Sequence, residues 1–252
     1  MTAEIEIAKQ IYDLAKEQGW IKQLLSIYKK KYKVLVLGSS GVGKTNLLQS
    51  LTKLLPEVIH YSTRTTGTPK SSIEISNIPF LFIDTPGQEN HESVRKSAIR
   101  EHCGSLDLVI NVVCYGYHEY ARGKEQAITH TGEINPEYVK ANREREIEAL
   151  QEWNNILGGN APYRLLTVIT KADIWWNSRE DVYDHYEKGE YFANLGAAQQ
   201  LTPVITPHSS IFHKFYGIGS LSGNFDEQDR TLSRANLLKS IVELVGKGGI
   251  SD

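Results

Sequence analysis

Apolar positions along the chain alternate between two spacings. Short runs at 33–37, 78–83, 106–114 and 165–169 are rich in Val, Ile and Leu, the composition of strands buried on both faces. Residues 72–76 alternate apolar and polar, and a tight turn near Asn77 would pair them with the run at 78–83. Residues 202–207 carry two prolines, which suits an edge strand and argues against a central one. Between these runs, apolar residues recur every three or four positions at 46–55, 91–103 and 137–157. One long helix is expected from 178 to about 199, carrying Tyr183, Tyr186, Tyr191 and Phe192, and a closing helix through Leu232 and Val245 is stopped by Gly246. Strands that alternate with helices predict an α/β fold with a mainly parallel, six-stranded sheet flanked by helices.

Two segments stand apart from that alternation. Residues 1–31 read as an extra N-terminal amphipathic helix with Ile7, Ile11, Leu14, Ile21, Leu24, Leu25 and Tyr28 on one stripe and Lys29, Lys30 and Lys31 at its end. The stripe is expected to pack on the domain at 32–252, and membrane contact is the less favoured use. The second segment, at about 115–136, is a polar, Tyr-rich insertion too long for a simple connection. Its His118 and His130 lack partners at metal-ligand spacing and are expected in a solvated loop or hairpin.

Charge and cysteine content narrow the function classes. With 28 Lys+Arg against 30 Asp+Glu the net charge is −2, so no overall basic field draws the chain to nucleic acid. Cys103 and Cys114 have neither the number nor the spacing of a disulfide scaffold or zinc site, which suits the cytoplasm. No signal peptide or membrane span is recognisable.

Candidate chemistry begins where the first strand ends. Gly38-Ser39-Ser40-Gly41-Val42-Gly43-Lys44-Thr45 fits the phosphate-loop pattern G-x-x-x-x-G-K-[ST] and lies between a strand and a helix. Its glycines let successive N–H groups converge on phosphate oxygens, Lys44 reaches the β- and γ-phosphates, and the Thr45 hydroxyl can ligate Mg²⁺. Nucleotide contacts are expected from all eight residues and from Asn46. Asp84-Thr85-Pro86-Gly87-Gln88 follows the strand at 78–83. There Asp84 can hold Mg²⁺, Gly87 lets the backbone approach a terminal phosphate, and Gln88 can orient an attacking water. Thr170-Lys171-Ala172-Asp173 follows the strand at 165–169. An ionised Asp173 matches the paired N1–H and N2–H₂ donors of guanine, and Lys171 can lay its methylenes over the ring. Ser209 and Ser210 follow the last strand.

In order and placement, these motifs resemble the GTP-binding domain of the Ras-like and translation-factor-related GTPases, a P-loop NTPase G domain, over about residues 33 to 245. Asp84-Thr85-Pro86-Gly87 looks like the prokaryotic assembly-type members and Gln88-Glu89 like the Ras and Rab group. The resemblance implies GTP and GDP as ligands, Mg²⁺ held by Thr45, Asp84 and a Thr of the loop at 63–68, and Gln88, Lys44 and that Thr as catalytic residues. Thr66 is the choice by distance from Lys44, with Thr65 and Thr68 as alternatives. The resemblance also implies a contact from Ser209 or Ser210 to guanine O6, although Ser209-Ser210-Ile211 departs from the family's Ser-Ala-basic pattern. The expectation is a slow GTPase switch whose turnover a protein partner or a homodimer raises. The alternatives are a GTP-dependent interaction module with negligible hydrolysis and an ATP-using enzyme, which Asp173 opposes.

Overall fold

In the computed structural model the described residues are 31–52, 68, 70–75, 78–86, 92–119, 127–128, 133–157, 164–195, 204–207 and 225–246. The expected N-terminal helix lies outside them. In chain order the elements are β1 (Tyr32–Leu37), α1 (Lys44–Thr52), β2 (Lys70–Ile75), β3 (Ile78–Asp84), α2 (Glu92–His102), β4 (Leu108–Val113), α3 (Pro136–Leu157), β5 (Leu165–Ile169), α4 (Ala172–Trp175), α5 (Arg179–Glu187), α6 (Glu190–Ala193), β6 (Val204–Pro207) and α7 (Glu227–Gly246).

The strands form one six-stranded sheet in the order β2-β3-β1-β4-β5-β6. β1 pairs in parallel with β3 and β4, and β4, β5 and β6 continue in parallel. Only β2 runs antiparallel, against β3, because the connection between them is too short for a crossover. Every residue of β4 and of β5 is buried, as expected for a parallel sheet covered by helices. Among those helices, α7 packs against β4, β5 and β6, and α2 packs against α3. β6, which ends in Pro207, is an edge strand.

Strand order reverses at β1, with β3 on one side and β4 on the other, and this is where open α/β sheets bind ligands. The registers pair Val36 with Asp84, Leu37 with Asn111, Val113 with Ile169 and Ile169 with Pro207. The carboxyl ends of the five parallel strands therefore share one rim.

Two expectations need correction. The single helix expected from 178 to about 199 is two helices, α5 and α6, in the described residues. The break follows from Gly189, whose N–H and that of Lys188 both turn back to the Asp184 carbonyl, at 2.7 and 3.0 Å, ending α5. The insertion also begins differently from a solvated loop. Gly116, Tyr117 and His118 are buried, with His118 only 1% exposed. Farther along, Ala127 and Ile128 are buried, and Ile128 bridges Ile134. Among the described residues no helix is long and apolar enough to cross a membrane.

Candidate nucleotide site

The phosphate loop turns directly out of β1. Gly41 has φ +79°, and a Cβ there would lie 2.5 Å from the Glu119 carbonyl oxygen, so a side chain is excluded by both backbone and neighbour. Lys44, the first residue of α1, folds back over the loop and donates through Nζ to the carbonyls of Gly38 (2.6 Å) and Ser39 (3.0 Å). Burial pushes its ammonium down to about 8, against the pull of the nearby Asp84 carboxylate. The lysine thus stands in the concavity formed by the loop, where an anion would replace its carbonyl partners.

Asp84 ends β3 and is buried. Next to it the Thr85 hydroxyl donates to the Val36 carbonyl at 2.8 Å, which ties the start of this segment to β1. Arg95, buried on α2, donates to the Pro86 carbonyl at 3.2 Å and lies 3.6 Å from Glu152 of α3. Thr45 and Asp84 offer the hard oxygen donors that Mg²⁺ takes, so this chain's residues fit the ion. Bound there, it would neutralise phosphate charge.

On the other side of β1, β5 delivers Thr170, Lys171 and Asp173. The Thr170 hydroxyl lies 2.5 Å from the Val42 carbonyl and 3.1 Å from that of Val113, so the segment after β5 is fastened to the phosphate loop. Lys171 adopts a left-handed conformation (φ 58°) and donates through Nζ to the Tyr117 carbonyl at 2.5 Å. Asp173 lies in the first turn of α4 and is fully buried. Trp175 donates its indole N–H to the Thr170 carbonyl at 2.8 Å, which locks that turn.

The structure therefore brings Gly38, Ser39, Ser40, Gly41, Val42, Gly43, Lys44, Thr45 and Asn46 to the rim that also carries Asp84, Thr170, Lys171 and Asp173. Thr66, Gly87, Gln88, Ser209 and Ser210 lie outside the described residues. Sequence reasoning missed the residues that brace this rim: Arg95, His118, Glu119, Glu146, Trp175 and Tyr186. For Glu146 a signal existed. The buried stripe of α3 runs Tyr138, Val139, Asn142, Glu146, Ile147, Leu150, Trp153 and Leu157, with a carboxylate where the pattern calls for an apolar side chain.

Residues 33–152, somewhat under half of the chain, match the family described as 50S ribosome-binding GTPase. Over that stretch the chain is similar to P-loop GTPases. In sequence, it is 38% identical over 72 residues to an uncharacterized protein of Methanocaldococcus jannaschii, a stretch that is 29% of this chain and 46% of that protein. It is 37% identical over 81 residues to GTPase Der of Mycoplasmopsis pulmonis, 30% of this chain and 19% of that one. The matches thus span less than half the length of these relatives. In fold it is similar to the Arl6 small GTPase of Trypanosoma brucei with a bound nucleotide analogue. That likeness has a TM-score of 0.50 and 13% identity, and covers 85% of this chain and 98% of the other.

Cys114, His118 and Glu146 bring ligand-type atoms within 4.8 Å of one another. Glu146 Oε1, however, already accepts from the amides of Cys114 (2.9 Å) and Gly116 (3.4 Å). His118 turns Nδ1 toward Cys114 Sγ at 3.5 Å and Nε2 toward Glu146 Oε1 at 3.8 Å, so no single ring nitrogen faces both. Burial, reinforced by the positive charge of Lys171, pushes His118 down to about 3. This is the pattern of a hydrogen-bonded brace rather than of a cation site.

Proposed function

We propose that this chain is a GTP-dependent molecular switch that hydrolyses GTP to GDP and phosphate slowly. The observation that carries the reading is the Thr170 hydroxyl at the Val42 carbonyl: it joins the element suited to select guanine to the loop suited to hold phosphates. In this reading the phosphate-loop N–H groups and Lys44 bind and orient the triphosphate and stabilise charge as the γ-phosphoryl group leaves. Thr45, Asp84 and Thr66 hold Mg²⁺, Gln88 aligns the attacking water, and Ser209 or Ser210 contacts the base. Asp173 rejects adenine because its carboxylate would face a ring acceptor instead of two donors.

Catalysis by positioning alone implies an intrinsic turnover on the order of 10⁻⁴ to 10⁻² s⁻¹, raised by a protein partner or by pairing of two chains. Loss of the γ-phosphate would release the segments around Thr66 and Gln88 and change the surface a partner meets. A reducing, cytoplasmic setting is part of the same proposal and rests on the free thiols of Cys103 and Cys114.

Nucleotide competition and single-turnover hydrolysis test the reading. GTP should displace a fluorescent guanine nucleotide far better than ATP does, and Asp173→Asn should shift preference toward xanthine nucleotides. Gln88→Ala should slow hydrolysis while leaving GTP bound. Tighter binding of ATP than GTP would overturn the assignment of the base. A wild-type hydrolysis rate in Gln88→Ala would overturn the role of the glutamine.

A further inference from the structure

We propose that Glu146, although it stands on α3 and outside the sequence motifs, is the positioning residue for the base end of the site. It holds the turn at 114–119 in the shape that places Lys171 and braces the phosphate loop. The inference rests on the nucleotide-binding reading above and extends it to a residue outside the four motifs.

The turn has an unusual backbone. Tyr115 (φ 54°) and Gly116 (φ 82°) are consecutive left-handed residues, and for Tyr115 that conformation costs on the order of 1 to 2 kcal/mol. Successive N–H groups in such a segment converge into a concavity that favours an anion. Glu146, 2% exposed, supplies one from within the protein. Its Oε1 accepts from the amides of Cys114 and Gly116, and its Oε2 accepts from the Tyr186 hydroxyl at 2.6 Å. The Tyr186 oxygen in turn accepts from the amide of Tyr115 at 2.9 Å. The amides of Cys114, Tyr115 and Gly116, which open the turn, are thereby committed, directly or through Tyr186, to a single carboxylate.

The outer side of the same turn meets the site. The Tyr117 carbonyl receives the Lys171 ammonium, and the Glu119 carboxylate lies 3.3 Å from it. The Glu119 amide donates to the Gly41 carbonyl of the phosphate loop at 3.2 Å. Lys171 and Gly41 thus receive their positions from a turn whose own shape depends on Glu146. A purely packing role would be served by an apolar residue at that place in the stripe, because burying a carboxylate is costly unless its oxygens are needed.

The full chain carries the test, with Glu146→Ala, Glu146→Gln and Tyr186→Phe compared with wild type. For each, release of a fluorescent GDP, the ratio of GDP to ADP affinity and the melting temperature are measured, with binding assayed well below the melting point. Glu146→Ala should release GDP about tenfold faster or more and lower the GDP-to-ADP ratio by a similar factor. Glu146→Gln keeps an oxygen for the two amides and should restore both readouts to within about threefold of wild type. Tyr186→Phe should fall between them.

A Glu146→Ala chain that melts earlier but releases GDP at the wild-type rate with wild-type base preference makes the residue merely structural and overturns the inference. Should that variant fail to fold, Tyr186→Phe decides by the same two readouts, and no change in either overturns it. Wild-type binding with unaffected variants removes this inference alone. A wild-type chain that binds no guanine nucleotide removes the proposed function and this inference with it.

Discussion

Replacing Thr170 with valine tests the join between the two halves of the site, because the side chains have nearly the same shape and differ in the hydroxyl. Thr170 is 5% exposed, and its one hydroxyl proton can serve one carbonyl at a time. The Val42 carbonyl is the nearer at 2.5 Å. The Val113 carbonyl also accepts the Thr170 amide at 2.8 Å, so it stays satisfied in the variant. The loss therefore falls on Val42, whose acceptor is left in a buried place without that donor, at a cost of about 1 to 3 kcal/mol. Urea denaturation of the nucleotide-free chain should show a lower midpoint with an unchanged slope. Whatever part of that cost is met only when the loop is ordered around phosphates appears as weaker GDP binding, between a few-fold and about a hundredfold. Thr170→Ser supplies the control: it keeps the donor and loses a methyl, worth about 1 kcal/mol of stability, and should bind GDP as wild type does. A Thr170→Val chain that binds GDP with wild-type affinity would refute the claim that this hydroxyl shapes the phosphate loop.

Lys44→Met should abolish nucleotide binding yet change the stability of the ligand-free fold by far less than the loss of two buried hydrogen bonds would suggest at pH 7. The descent of the ammonium from 10.5 to about 8 implies a burial cost near 3 kcal/mol, which offsets most of the two charged hydrogen bonds given up, about 3 to 6 kcal/mol together; a ligand-free fold destabilised by about 5 kcal/mol or more would contradict it. Gly41→Ala combines a φ of +79° with a Cβ 2.5 Å from the Glu119 carbonyl, so about 2 kcal/mol or more of stability should be lost in denaturant titrations; a stable variant that binds GDP normally would show that the turn at 114–119 yields easily. His118 is neutral in the fold with its pKa pushed to about 3, whereas the unfolded chain protonates it near 6.5, so its contribution is complete above 6.5 and drains as pH falls toward 3, by about 1.4 kcal/mol per pH unit. Burial raises Glu146 above its ordinary value, and this acts in the opposite sense at the acid end. His118→Asn should therefore flatten the pH dependence of stability between about 6 and 4.5 by one proton, and an unchanged slope would place the acid sensitivity elsewhere.

What the sequence made legible and what it hid divide along a physical line. The β-branched runs at β1, β4 and β5 declare themselves because burial on both faces admits little else, and the rim follows because parallel strands share an end. Motif chemistry is legible for a related reason: a backbone that wraps phosphate requires Gly41 and Gly43, and a lysine that reaches it must follow at once. The turn at 114–119 was hidden because Tyr, Gly, His and Glu in succession have the composition of an exposed loop. Its burial depends on an anion supplied from α3, about thirty residues later, and on a tyrosine hydroxyl from α5, later still. Such long-range satisfaction of backbone amides leaves no periodic trace around the turn itself. It does leave one at the other partner: Glu146 interrupts the apolar stripe of α3, and unlike Asn142, whose amide bonds to Tyr138 and Arg145 of the same helix, it finds its partners beyond its own helix. The length of α5 escaped for a simpler reason. Its residues continue a helical spacing past Gly189, and it is the Gly189 N–H, reaching back five residues to the Asp184 carbonyl instead of the helical four, that ends it. One carboxylate on a buried stripe was therefore as informative as a nucleotide motif, because both mark places where the fold accepts an expensive group for the sake of its bonding atoms.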